Sequence, residues 1–204
     1  MSTSKILLIA GAVLVGIIAI AGMGIAGSYN GLVTLDQQTQ GAWAQVQNAY
    51  QRRLDLIPNL VETVKGAASF EQSTLTAVVE ARSKIGQITP EALSNTINDP
   101  AALQRFQQAQ AGLSSALSRL MVVAEQYPEL RATQNFRDLQ VSLEQTENRI
   151  GVERKHFNDA ATAFNTRRER FPTVIIAGFF GDKFKTKAYF AAEEGAEKAP
   201  AVKF

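Results

Sequence analysis

Glu153 and His156 are the residues whose types and spacing come closest to a chemical motif. On a helix, residues three apart share a face, and Glu-x-x-His pairs of this kind supply di-metal centres inside helical bundles. Such a centre needs two pairs and two further glutamates, whereas this chain holds a single histidine. The plainer reading places Glu153 on a helix seam and His156 one step off it, with no metal. There is no cysteine, so zinc-thiolate sites, disulfides and thiol catalysis are excluded. No serine has a histidine partner at motif spacing. The glycines that might suggest a phosphate loop, Gly22, Gly24 and Gly27, lie in an apolar stretch. We therefore expect no catalytic, cofactor-binding or metal-binding residues, and no cofactor. Charges cluster elsewhere: Arg52, Arg53 and Asp55 in one place, Glu144, Glu147 and Arg149 in another, with Arg82 and Arg168 on predicted seams. A seam arginine must find a carboxylate or destabilise the fold, so ion pairs that set helix register are expected, with Arg53 or Arg82 as donors.

The elements that must position these groups begin with Ile6 to Gly27, ILLIAGAVLVGIIAIAGMGIAG, which lacks charge, amide side chains and proline. At 1.5 Å per residue it reaches roughly 33 Å, enough to cross a bilayer's hydrocarbon core. A cleaved signal peptide is the alternative, because Ala21 to Ser28 is rich in small residues, but the apolar run is longer than a signal core. Ala12 and Gly16, then Gly22 and Ala26, have the small-xxx-small spacing that lets membrane helices approach closely. They are the candidates for helix packing and self-association. The remaining chain, about 175 residues, suffices for one domain with a core. A net charge of +2, from 21 basic and 19 acidic residues, gives no field pointing to nucleic acid.

Beyond Ser28 the period becomes that of an amphipathic helix, with Leu32, Leu35, Thr39, Ala42, Val46, Ala49 and Arg53 on one stripe and Trp43 and Tyr50 beside it. Asp55 and Pro58 predict a tight reversal, a kink in one long helix being the alternative. A second helix follows through Val64, Leu75, Val78, Arg82 and Ile85 to Gly86. Residues 86–100 read as a loop with one helical turn. Asp99-Pro100 starts a third helix, which stops at Tyr127-Pro128. The fourth carries the clearest seam: Phe136, Leu139, Leu143, Thr146, Ile150, Glu153, Phe157, Ala160, Phe164, Arg168 and Phe171. The predicted fold class is all-α: an N-terminal single transmembrane helix (6–27) followed by an antiparallel four-helix bundle (28–172), without sheet.

An even number of antiparallel helices returns the chain to the membrane. The segment that arrives, TVIIAGFF at 173–180, is apolar and is followed by Lys183, Lys185 and Lys187. Val174, Ile175, Ile176, Phe179, Phe180 and those three lysines are thus candidates for a membrane-interface foot spanning 173–190, packing on the base of the bundle being the other, compatible reading. Residues 191–204 read as a loose tail.

The stretches SYNGLVTL (28–35), AWAQV (42–46), RRLDLIPNLVETVKG (52–66), LTAVVEARSK (75–84), AEQYPELRATQNFRDLQ (124–140) and LEQTENRI (143–150) resemble the LemA family of bacterial membrane proteins. Phe171-Pro172, Gly178 to Gly181 and EEGAEKAP at 193–200 extend the likeness over essentially the whole chain. Val152 to Asn158, VERKHFN, departs from the family's usual run. The resemblance implies an N-terminal membrane helix and a four-helix bundle. It implies little about activity, although relatives often accompany membrane proteases or small membrane proteins.

The expected role is a non-enzymatic, oligomeric scaffold or adaptor that self-associates and contacts membrane lipid and other membrane proteins. A membrane-shaping or lipid-binding protein using the foot is the alternative, and a metal-dependent enzyme the remote one. Lys5 precedes the span and no Lys or Arg lies between Gly27 and Arg52. The positive-inside rule then favours a bacterial cytoplasmic (inner) membrane protein with its bundle on the external, periplasmic side.

Overall fold

The computed structural model describes residues 3–66 and 71–191. The described residues contain helices and connecting turns, and no strand. Four helices dominate: α1 (Thr3–Lys65), α2 (Gln72–Gly86), α4 (Pro100–Ala124) and α6 (Gln134–Glu169). Three short ones join or follow them: α3 (Pro90–Asn95), α5 (Pro128–Ala132) and α7 (Thr173–Phe179), with 3-10 turns at Thr96–Asn98 and Gly181–Phe184. The expected tail, 191–204, falls outside the described residues apart from Ala191.

The reversal expected at Asp55 to Pro58 does not occur. Instead α1 continues for 63 residues with Pro58 inside it. Pro58 has no N–H, so the carbonyl of Leu54, four residues earlier, loses its helical donor. Arg82 of α2 takes that place, its Nε donating to the Leu54 carbonyl at 3.3 Å. On the far side of the proline, Ile57, Leu60, Val61 and Val64 are all buried and hold the last two turns in line. Arg82 is consequently exposed at a helix edge, not in the seam as its spacing suggested. What reads as one second helix is split, its first half completing α1 and its second half forming α2.

The described residues fall into two compact units, one within 1–41 and 159–186, the other within 42–158 and 187–204. In the larger unit, Ile57, Leu60 and Val64 of α1 pack with Leu75, Val78 and Ile85 of α2, Leu113, Leu117 and Leu120 of α4, and Phe136 of α6. Leu130 of α5 closes this core. Helix starts follow their capping residues. The Asp99 carboxylate accepts from the Ala101 amide at 2.9 Å ahead of α4, and the Thr89 hydroxyl accepts from the Ala92 amide at 3.2 Å ahead of α3. An aromatic group sits elsewhere in this unit. Trp43 meets Phe106 at 5.5 Å and Phe157 at 5.6 Å, and its Nε1 donates to the Leu93 carbonyl at 3.0 Å. The chain returns to this group as an extended strap. Phe190 packs 5.6 Å from Phe157, and its backbone exchanges two hydrogen bonds with the Asn158 side chain.

The smaller unit is built on Leu32 of α1, Phe164 of α6, Ala177 of α7 and Phe184 of the following turn, all buried. The Thr39 hydroxyl, buried beside them on α1, donates to the Ala160 carbonyl of α6 at 3.3 Å. Gly181, at φ +44°, ends α7 in the left-handed conformation that a side chain would resist. That turn brings Phe184 back against Tyr29, ring centroids 5.6 Å apart. The α6 seam is buried or half-buried from Phe136 to Arg168, with Ile150, Phe157 and Phe164 fully enclosed. Phe171, placed last on that seam by its spacing, is instead 81% exposed, because α6 ends at Glu169 and Phe171 has left the helical stripe.

Candidate functional site

The groups that looked most chemical are structural in their geometry. Glu153 is buried on α6 and bonded to Arg149 Nε at 2.7 Å, one turn away on the same helix. His156 is largely exposed, its Nδ1 3.4 Å from the other Glu153 oxygen. Among the described residues no three His, Cys, Asp or Glu side chains gather as a metal site would require.

Arg53 is the most buried charge among the described residues, its side chain only 2% exposed. Its Nη1 donates to Glu147 Oε2 and to Ser114 Oγ, each at 2.8 Å, and its Nη2 donates to the Gln110 side-chain oxygen at 2.5 Å. The Tyr50 ring lies 5.2 Å from the guanidinium carbon. This cluster ties α1, α4 and α6 at one level. Its acceptors come from two helices that sequence spacing alone does not connect to Arg53. Arg168, the other seam arginine, donates to the Phe184 carbonyl at 2.7 Å and pairs with Glu169.

All the membrane-facing candidates except Lys187 lie in the smaller unit. From Leu7 to Ile25 the large apolar side chains of α1 are exposed all round, and this is the one helix among the described residues long and apolar enough to cross a membrane. Ala12, Gly16, Gly22 and Ala26 are exposed along the same stretch, and nothing lies within 4 Å of where a Cβ would stand on Gly16 or Gly22. Burial begins at Ser28. One residue later, the Tyr29 ring packs at a tilt against Phe180, centroids 4.9 Å apart, and Lys183 Nζ donates to its hydroxyl while lying 4.8 Å from its ring centre.

The candidate foot thus touches α1 directly after the apolar run, and the structure sorts its members. Ile175 is 62% and Phe179 84% exposed, with Val174 and Phe180 about half as much. Ile176 is buried on the inner face of α7 with Thr173 and Ala177, and it belongs to the core of this unit. Lys183 and Lys185 are exposed, Lys185 pairing with Asp182 at 3.0 Å. Lys187 is buried in the other unit, where its Nζ donates to Asn98 Oδ1 at 2.8 Å, so it cannot face lipid there. Sequence reasoning put Phe171 on the α6 seam and gave Tyr29 no role. The available signal was Pro172, which stops the α6 seam and leaves Phe171 without a stripe to join.

The LemA family model matches residues 42–204. This chain belongs to the LemA family. Two curated relatives are similar over most of its length. Magnetosome protein MamQ 2 of Paramagnetospirillum magneticum is 28% identical over 176 residues, covering 79% of this chain and 64% of the relative. Protein LemA of Metamycoplasma hominis is 26% identical over 151 residues, covering 74% of this chain and 64% of the relative. The chain therefore spans just under two thirds of the length of these relatives.

Proposed function

We propose that this LemA-family chain is a single-pass protein of the bacterial cytoplasmic membrane whose helical body works by contact, as a non-enzymatic, self-associating scaffold for other membrane proteins. The body, 28–172, is read as an antiparallel four-helix bundle, and the lack of Lys and Arg between Gly27 and Arg52 favours the external side for it. The observation that carries this reading is the change of character within α1. Its apolar side chains are exposed on every side up to Ile25. From Leu32 to Val64 one stripe is buried, including Leu32, Val46, Ile57 and Leu60. The first pattern suits lipid on all sides, and the second suits water on one side and a protein core on the other.

A contact role is further supported by the outer surface of the larger unit, where Val79, Val122, Val141 and Val152 are exposed on three different helices. The relative named Magnetosome protein MamQ 2 carries the name of a structure and not of a reaction. Photocrosslinking residues placed at these four valines of the full-length chain, in native membranes, test the proposal. Adducts with a second copy and with integral membrane proteins are expected. Uncrosslinked monomer at every position would overturn it.

A further inference from the structure

We infer that Ile175 and Phe179 form an interfacial foot that inserts into the leaflet from which α1 emerges, held between basic residues that meet its headgroups. The inference deepens the proposed function and rests on α1 being retained as a membrane span. In α7 the inner face, Thr173, Ile176 and Ala177, already packs on the protein. A surface helix in water carries polar residues opposite such a face. Here the opposite face is Ile175 and Phe179, one turn apart and both exposed, and Phe171, just ahead of α7, is exposed as well. Large apolar side chains gathered in this way call for a covering partner.

Continuity with the span identifies lipid as the occupant. Phe180 and Phe184 pack on Tyr29, only about 3 Å of helix rise beyond Gly27, so α7 lies where the exposed apolar run of α1 ends. The flanks supply the second argument. Residues 167–186 hold five basic residues, Arg167, Arg168, Arg170, Lys183 and Lys185, against Glu169 and Asp182. Aromatic and aliphatic side chains bordered by cations suit the boundary between acyl chains and anionic headgroups.

The natural absence of cysteine makes the test direct. Single cysteines replace Ile175, Phe179, Ile18 within the span, or Gln38, which is exposed on α1 about 16 Å beyond Gly27. Each full-length variant carries an environment-sensitive fluorophore and is reconstituted into vesicles of acyl-brominated phosphatidylcholine, with or without phosphatidylglycerol. The labels at 175 and 179 are expected to lose most of their emission, as the label at 18 does, while the label at 38 keeps it. Phosphatidylglycerol should deepen the loss at 175 and 179 but not at 18. Quenching at 18 with none at 175 or 179 would overturn the foot and leave the anchor standing. Unquenched foot labels that are also shielded from aqueous iodide would put protein, and not lipid, on this face. No quenching at 18 would overturn the anchor and the foot together. A loss at 175 and 179 indifferent to phosphatidylglycerol would overturn the role given to the cations.

Discussion

Replacing Glu147 by alanine should destabilise the protein more than replacing its partner Arg53 by methionine. The two ends of this ion pair differ in burial: the Arg53 side chain is 2% exposed and that of Glu147 55%. Removing Glu147 strands a guanidinium in the interior with only the neutral acceptors Ser114 and Gln110. An uncompensated buried charge costs about 3–5 kcal/mol, and water entering where the half-exposed carboxylate stood brings this to the lower end, about 3 kcal/mol. Arg53→Met keeps an apolar stem of similar length and releases Glu147 to solvent. It leaves mainly the Gln110 side chain short of a partner, at about 1 kcal/mol. The double variant should behave like Arg53→Met alone, since the stranded charge is then gone. Trp43, the only tryptophan and buried in the same unit, reports unfolding of the detergent-solubilised full chain in urea. A difference of about 2 kcal/mol separates the two midpoints by about 1 M urea. If Arg53→Met unfolds at the same or lower urea than Glu147→Ala, the reasoning from burial asymmetry is refuted.

Three further outcomes follow from single contacts. Arg82→Met should cost about 0.5 kcal/mol, since water replaces the exposed Arg82 hydrogen bond to the Leu54 carbonyl, and Pro58→Ala, which restores an N–H to that carbonyl, should remove most of this cost in a double-variant cycle read by urea unfolding. Asn158→Ala deletes both hydrogen bonds to the Phe190 backbone, so stability should fall by about 1–2 kcal/mol and the Phe190 amide should exchange its hydrogen faster. His156→Ala should leave stability within about 0.5 kcal/mol, and elemental analysis of the purified chain should find no stoichiometric transition metal, because His156 is exposed beside a carboxylate already bonded to Arg149.

Several features of this chain are legible residue by residue. The apolar run from Ile6 to Gly27, the α6 seam through Ile150, Phe157 and Phe164, and the Asp99-Pro100 start of α4 all depend on neighbours within about one helical turn. Local spacing therefore specifies them. The same holds for the solitary status of His156, since a count of one histidine excludes a second Glu-x-x-His pair in the chain. The family likeness in DLIPNLV and TENRI was legible for a related reason: it lies in strings of adjacent residues.

Tertiary structure decided what those residues meet. That the helix runs on past Pro58 goes with the burial of Ile57, Leu60 and Val64 among other helices, and the carbonyl Pro58 leaves without a helical donor is met by Arg82, 28 residues away from Leu54. Arg53 was legible as a charge needing partners, but Gln110, Ser114 and Glu147 are chosen by which helices come together around it. Ile176 and Ile175 are the same residue type, one position apart. Packing buries the first and leaves the second exposed, and Lys187 is drawn from a run of lysines into the interior by Asn98. Periodicity follows from the geometry of one helix, whereas the partner of a carbonyl or a charge is set by contacts between helices, which short-range pattern does not encode.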